Sequence, residues 1–129
     1  MSIKILSRFK KENERGFTLI ELMIVIAVVG ILAGIAIQQF TVYRTRSLNS
    51  AAKADLRNAA TAQEAYYVAN EQYCATVAPL TGTTYGLYLS DKVALTVTAA
   101  TTSGYTMTAY HSSGNVTYTL SGPGGAITK

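Results

Sequence analysis

An uncharged stretch from Leu22 to Tyr43 constrains more than any other feature what this chain can fold into. Its first part, Leu22–Ile37, is apolar except for Gly30 and Gly34. A helix of about 20 apolar residues crosses the hydrocarbon core of a bilayer, and a helix satisfies its own backbone hydrogen bonds there. The stretch therefore predicts a membrane-spanning helix.

The helix is expected to continue well past the apolar stretch. Residues 17 to about 70 contain no proline, and beyond residue 43 small and apolar side chains recur at helical spacing. The members of this face are Leu48, Ala52, Leu56, Ala59, Ala62, Tyr66 and Ala69. We expect residues 17–43 to form the transmembrane and assembly half of one helix, and residues 44–74 an amphipathic half covered on one face.

After Pro79 the composition changes to Thr, Tyr, Gly and Ser. Apolar and hydroxyl side chains alternate in three segments, which predicts three strands: Val93–Thr98, Tyr105–Tyr110 and Val116–Leu120. Ser112–Asn115 between the last two is a plausible hairpin turn. We expect residues 75–129 to form a small antiparallel β domain packed on the amphipathic half of the helix, and thus an α+β fold.

The net charge of +4 does not indicate a nucleic-acid-binding protein. The excess lies in residues 1–16, which hold Lys4, Arg8, Lys10, Lys11 and Arg15 against Glu12 and Glu14. Such a basic tract before an apolar run holds the leading end on the cytoplasmic side of a membrane. Without it, the remaining chain is nearly neutral.

A second group of basic residues follows the apolar stretch, at Arg44, Arg46, Lys53 and Arg57. It is either a DNA-binding stripe or a solvated surface that pairs with acidic residues of neighbouring subunits, namely Asp55, Glu64 and Glu71. We favour the second interpretation and predict no specific nucleic-acid partner.

Glu21 is the most informative single residue, because it places a carboxylate near the start of the apolar segment. A charge at bilayer depth costs at least about 2.5 kcal/mol. Cleavage between Gly16 and Phe17 would create an α-amine one helical turn from Glu21, and Gly16 has no side chain to obstruct a protease. Glu21 could pair with this amine in its own chain or in a neighbour.

The segment Gly16-Phe17-Thr18-Leu19-Ile20-Glu21 and the apolar residues after it resemble the class III signal sequence of type IV prepilins and type II secretion pseudopilins. The resemblance implies the type IV pilin fold. It also implies that a prepilin peptidase removes residues 1–16 as a leader and methylates the amine of Phe17. Glu21 would then guide assembly by pairing with the Phe17 amine of the preceding subunit. Asn49–Ala52 and Asp55–Asn58 are similar to the helix of delta-proteobacterial pilins.

The resemblance implies a structural subunit rather than an enzyme, with no cofactor and no metal. The subunit would wait in the inner membrane as a single-pass precursor. The pilus assembly machinery would then polymerise it with its own copies into a surface filament for adhesion, motility or DNA uptake. The alternative is a pseudopilin of a type II secretion system. Major pseudopilins usually carry an acidic calcium loop and Trp near the C-terminus, whereas this chain has no Trp and no acid after Asp91, which favours a pilin.

Two features depart from the pattern of many pilins. Gln38 occupies the position where many of them carry a proline, so Gly30 and Gly34 are the only residues that weaken this part of the helix. Cys74 is the only cysteine, so the disulfide that closes the C-terminal loop of many type IVa pilins cannot form.

An ordinary signal peptide is the main alternative for the N-terminal segment, because Gly34-Ile35-Ala36 offers a small-x-small cleavage pattern. That alternative leaves Glu21 unexplained. Five aromatic residues could suggest a conductive filament, but on a packing helix such residues usually belong to a core or subunit interface: Phe40, Tyr43, Tyr66, Tyr67 and Tyr73. Cys74 is interpreted as a buried or inert thiol rather than an intermolecular bridge, and His111 as a polar residue at a strand end.

Overall fold

The computed structural model describes residues 15–129, so most of the predicted leader lies outside the described residues. A single long helix, α1, is followed by a short 3-10 turn and four strands. Their bounds are Leu19–Asn70 for α1, Ala78–Leu80 for the turn, and Val93–Ala100, Tyr105–His111, Thr117–Gly122 and Ile127–Thr128 for β1 to β4. The predicted α+β architecture is confirmed.

The predicted elements agree with the structure except at their ends. β1 continues to Ala100, and the short fourth strand, β4, was not among the three predicted strands. The helix ends at Asn70, so residues 71–74, which were predicted to belong to its amphipathic half, lie beyond it. Glu71 adopts a left-handed backbone with φ 57° and donates its N–H to the Tyr67 carbonyl at 2.8 Å, which is how helices commonly end.

The described residues fall into two compact units that meet in sequence between Gln38 and Gln39. The described part of the first unit, residues 15–38, consists of a short segment without regular secondary structure and the apolar part of α1. Every side chain described in this unit is exposed. Residues 15–38 therefore contain no buried core.

The second unit contains the rest of α1 and the sheet, in which the strand order is β1-β2-β3-β4 and all pairs are antiparallel. In the register Leu95 lies opposite Ala109, and Met107 opposite Leu120. These inward side chains form one core with Ala52, Leu56, Ala59 and Ala62 of α1. The alternation of side chains along each strand places this buried set on one face of the sheet.

The predicted helical face is confirmed in its centre and fails at one end. Ala52, Leu56, Ala59 and Ala62 are buried, and Leu48 and Tyr66 are partly buried. Ala69 is exposed, so the prediction that it belongs to the covered face of the helix was wrong. Ala69 lies in the last turn of α1, and the core is completed there by Tyr73 and Cys74 from the segment that follows the helix.

Gln63 is buried in α1 and fixes the chain that leaves the helix. Its Nε2 donates to the Cys74 carbonyl at 2.8 Å, and its Oε1 accepts the Cys74 N–H at 2.8 Å. A buried amide that satisfies both its donor and its acceptor on one backbone residue avoids the cost of burying unpaired polar groups. This role of Gln63 was not predicted from the sequence.

Asp55 is the buried carboxylate of the second unit, with 3% of its surface exposed. It accepts the Ser90 N–H at 2.6 Å and the Ser90 hydroxyl at 3.0 Å, which anchors the loop before β1. The expectation that Asp55 pairs with basic residues of neighbouring subunits is therefore wrong, because its oxygens are already bonded inside the subunit.

Candidate assembly and membrane site

The start of α1 is closed by three reciprocal hydrogen bonds between Thr18 and Glu21. The Glu21 N–H donates to Thr18 Oγ1 at 3.3 Å, and Glu21 Oε2 accepts the Thr18 N–H at 2.8 Å and the Thr18 hydroxyl at 2.9 Å. This arrangement is a capping box, which satisfies backbone donors that a helix start would leave without partners. The capping box was not predicted above, although the pattern Thr18-x-x-Glu21 is the usual sequence signal for it.

Both hydrogen bonds that Glu21 accepts use Oε2. Within residues 15–129, Glu21 Oε1 has no hydrogen-bond partner in the structure. An ionised carboxylate has acceptor sites on both oxygens. The capping box therefore holds the side chain in place and leaves one oxygen available to an external donor.

The predicted cleavage residues lie immediately before this cap. Arg15, Gly16 and Phe17 have no regular secondary structure and are exposed, Phe17 to 91%. A side chain added at Gly16 would meet nothing within 4 Å. Phe17 and Glu21 line the same shallow pocket, together with Leu22, Ile24 and Val25. The structure thus brings two of the three predicted site residues onto one surface, with Gly16 adjacent in sequence.

The helix after Glu21 presents a continuous apolar surface. Large apolar side chains from Leu22 to Tyr43 are between 42% and 68% exposed, and none belongs to the hydrophobic core of the described residues. Soluble monomers rarely expose contiguous apolar patches of more than a few hundred Å². By length and composition this part of α1 is sufficient to cross a membrane.

The aromatic residues separate into two groups. Phe40 and Tyr43 are exposed, whereas Tyr73 is buried and stacks on Tyr67, with ring centroids 4.7 Å apart. Tyr73 also contacts Tyr105 at 4.7 Å between centroids. Burial, followed by the nearby Glu64 carboxylate and Tyr73, raises the pKa of Tyr105 to about 12. This cluster agrees with the prediction of a core role for these tyrosines.

The two remaining side chains of chemical interest are both buried. Cys74 is a free thiol in the core, as predicted, and its Sγ lies 3.1 Å from the Thr76 carbonyl. His111 ends β2, as predicted, and its Nδ1 accepts the Ser113 N–H at 3.0 Å. Among residues 15–129, no group of three or more His, Cys, Asp or Glu side chains could hold a metal ion.

Comparison with known proteins agrees with this arrangement of an apolar helix and a small sheet. Residues 11–37 match the family described as the prokaryotic N-terminal methylation motif. Residues 39–120 match the family described as type IV minor pilin ComP, DNA uptake sequence receptor. The two matches meet at the junction of the two structural units, between residues 38 and 39.

Individual relatives give the same result. The chain is 37% identical over 105 residues to the type IV wide pilus major component PilA4 of Thermus thermophilus, covering 81% of this chain and 79% of that protein. It is 45% identical over 89 residues to the type IV major pilin protein PilA of Myxococcus xanthus, covering 65% of this chain and 40% of that protein. The chain therefore belongs to the type IV pilin family.

Some of these similarities cover only part of the proteins compared. The chain spans less than half the length of the Myxococcus pilin, and the 62% identity to the major fimbrial protein FimA of Dichelobacter nodosus covers only 29% of this chain. These relatives are all named as components of pili or fimbriae and none as an enzyme. A secretion pseudopilin is accordingly not favoured.

Proposed function

We propose that this chain is the precursor of a subunit that polymerises into a type IV pilus. The observation that carries the proposal is the Glu21 carboxylate, which is held at the head of an exposed apolar helix and has one oxygen without a hydrogen-bond partner among residues 15–129. An apolar surface without a partner inside the subunit requires a bilayer or neighbouring helices to cover it. The subunit first occupies the inner membrane through this helix and then enters a surface filament.

Processing comes before assembly. A prepilin peptidase hydrolyses the bond between Gly16 and Phe17, which releases residues 1–16 and leaves a positively charged amine on Phe17. A single methylation of this amine preserves its charge. The exposure of Arg15, Gly16 and Phe17, and their lack of regular secondary structure, support access by a protease.

Assembly then uses the charge of Glu21. Since Oε2 holds the Thr18 cap, Oε1 is the oxygen that accepts the Phe17 amine of the preceding subunit. Between packed apolar helices the local dielectric constant is low, so this ion pair is stronger there than in water. Its strength depends on the exclusion of water, which only a correctly placed neighbour supplies.

Two substitutions at Glu21 test this proposal and separate the charge from the cap. Glu21→Ala removes both, whereas Glu21→Gln removes the charge and keeps a side chain that completes a capping box. We expect both variants to be inserted and processed normally and both to lose nearly all filaments. Asp91→Asn removes a charge from an exposed site outside the apolar segment and serves as the matched control.

The measurement is the yield of sheared filaments relative to the processed subunit in the membrane. Normal filaments from Glu21→Gln would show that the cap, and not the charge, is needed, and would contradict the proposal. Accumulation of the unprocessed chain would show instead that the peptidase requires Glu21 to recognise its substrate.

Processing has its own test. Intact-mass analysis of filaments should show a subunit that begins at Phe17 with one added methyl group, and Gly16→Val should block maturation because its side chain obstructs the scissile site. Filament subunits that retain residues 1–16, or begin at Ile37, would contradict the proposed cleavage.

DNA uptake is the second candidate function, because residues 39–120 match a family whose description names a DNA uptake sequence receptor. Sheared filaments should then bind double-stranded DNA, with affinity that falls steeply as salt rises. Binding that is absent at low salt would leave adhesion or motility as the use of the filament.

A further inference from the structure

Arg44 and Arg46 lie just beyond the apolar part of α1, at the end opposite the basic leader. In the membrane orientation of the proposed function, on which this inference rests, both face the outer surface of the inner membrane. Arginine on that side opposes the usual preference of Lys and Arg for cytoplasmic segments. Within residues 15–129 neither guanidinium forms an ion pair. Arg46 lies 6.0 Å from the centre of the Tyr43 ring.

The surface around these arginines is polar and concave. Two adjacent shallow pockets share Thr41 and Thr45. Arg46 and Asn115 line the first pocket, and Arg44 and Ser113 line the second. Ser113 and Asn115 belong to the hairpin between β2 and β3, so a distant part of the chain completes a site that begins on α1.

The hairpin tip is held in place beside the helix. Asn49 of α1 is buried, its Nδ2 donates to Asn115 Oδ1 at 2.7 Å, and its Oδ1 accepts the Asn115 N–H at 3.1 Å. A side chain at Gly114 would collide with Asn49 Oδ1, so only glycine permits this close approach. The polar surface is therefore preorganised, which lowers the entropic cost of binding a ligand.

We propose that this surface binds the headgroup of an anionic phospholipid, with the phosphate held by Arg44 and Arg46. A guanidinium offers a planar set of donors that matches phosphate oxygens. From Leu22 to Val42, α1 rises about 30 Å, which is the thickness of the hydrocarbon core, so the arginines reach headgroup level. The exposed Phe40 and Tyr43 precede them as the aromatic side chains that membrane interfaces favour.

The headgroup contact gives the two arginines a role before assembly. It fixes the depth of the helix and holds the hairpin end of the sheet at the membrane surface. Extraction of the subunit into a filament then breaks the contact.

Native mass spectrometry of the full chain in detergent micelles tests the inference, with phosphatidylglycerol or phosphatidylcholine added as the probe. We expect the wild-type chain to retain phosphatidylglycerol in preference to phosphatidylcholine. The double variant Arg44→Gln/Arg46→Gln should lower that preference by about thirtyfold, as expected for two arginines near an anionic surface. Lys53→Gln/Arg57→Gln removes the same charge further along α1 and should keep the preference.

Three results would overturn the inference. An equal loss of the phosphatidylglycerol preference in both double variants would indicate general charge attraction. An unchanged preference in Arg44→Gln/Arg46→Gln would show that the lipid binds elsewhere. Displacement of the lipid by inorganic phosphate at a similar concentration would indicate a site for small anions rather than for headgroups. Membrane insertion is measured separately by carbonate extraction. Release of the wild-type chain from membranes by carbonate would contradict the proposed function, but it would not change the comparison of lipid adducts between variants.

Discussion

The two parts of α1 contain similar apolar residues and yet meet opposite surroundings. Leu32, in the first unit, is 60% exposed, whereas Leu56, in the second, is fully buried against the sheet. The difference does not come from helix propensity, because Leu is a good helix former at both positions. The second unit supplies its own partner, the sheet, whereas under the proposed function lipid or other subunits cover the first unit.

The polar side chains of the two units differ in the same way. Glu21 is bonded to Thr18, three residues away, so its contact belongs to the helix start itself. Asn49 and Asp55 bond to residues that are 66 and 35 positions away in sequence. The first kind of contact exists whenever the helix forms, while the second exists only in the folded unit. Stability of the isolated subunit should therefore reside in residues 39–129.

The largest expected effect on stability comes from shortening one leucine side chain in each unit, which tests whether only the second unit has a core. Leu56→Ala opens a cavity in the core and should lower the free energy of unfolding by about 2 to 5 kcal/mol. Leu32→Ala should change it by less than about 0.5 kcal/mol, because that side chain leaves no cavity. Urea unfolding of the full chain in detergent, followed by near-UV circular dichroism of the tyrosines, measures both. Comparable losses would show that the apolar unit contributes to the stability of the sheet.

Gln38 marks the junction of the two units, and α1 runs through it without a break. Gln keeps its backbone donor and has good helix propensity, so we expect residues 33–43 to remain helical in the assembled filament, more so than in proline-containing relatives. Gln38→Pro should cost about 3 kcal/mol locally and open the helix there. Cryo-electron microscopy of filaments measures this, and an extended segment in the wild-type filament would contradict the prediction.

Asp55 tests the long-range polar contacts. Asp55→Ala removes both acceptors of Ser90 and should lower the free energy of unfolding by about 1 to 3 kcal/mol. Ser90→Ala keeps the backbone N–H bond and loses only the hydroxyl bond, so its loss should be smaller. The same urea experiment measures both, and a larger effect of Ser90→Ala would show that the backbone bond contributes little.

The smallest expected effect is a loss of folding stability at alkaline pH, and it comes from Tyr105 in the second unit. The pKa of Tyr105 is raised from its ordinary value of 10.0 to about 12, first by burial and then by Glu64. Folding therefore favours the neutral phenol, so this contribution to stability is complete below about pH 10 and is lost as pH rises toward 12. Solvent screening of the exposed Glu64 should keep the part of this loss that comes from Glu64 below about 1 kcal/mol.

The variant Tyr105→Phe isolates this effect, because burial followed by Glu64 also raises the pKa of Tyr73. The wild-type chain should lose more stability than Tyr105→Phe between about pH 9 and 11.5. Tyr88→Phe, at an exposed position, is the matched control. Equal losses in the wild-type chain and in Tyr105→Phe would assign the alkaline effect to other groups.

The sequence by itself determined the features that depend on neighbours along the chain. The apolar period of α1, the alternation in β1 to β3 and the turn at Ser112–Asn115 all follow from local pattern and propensity. The capping pattern at Thr18 and Glu21 is equally local and was visible in the sequence. For that reason the family resemblance, the α+β class and the candidate processing segment could be inferred before any coordinates.

Only the tertiary structure decided which polar residues are internal. From the sequence alone, Asp55 is one of several charged residues expected on the helix surface. Asn49 and Gln63 are likewise indistinguishable from other polar residues of the helix. Their roles depend on Ser90, Asn115 and Cys74, which the fold of the sheet and of the loops around it brings to α1. A residue's distance along the chain does not determine its distance in space, and the cost of burying a polar group is set by the partner it meets there.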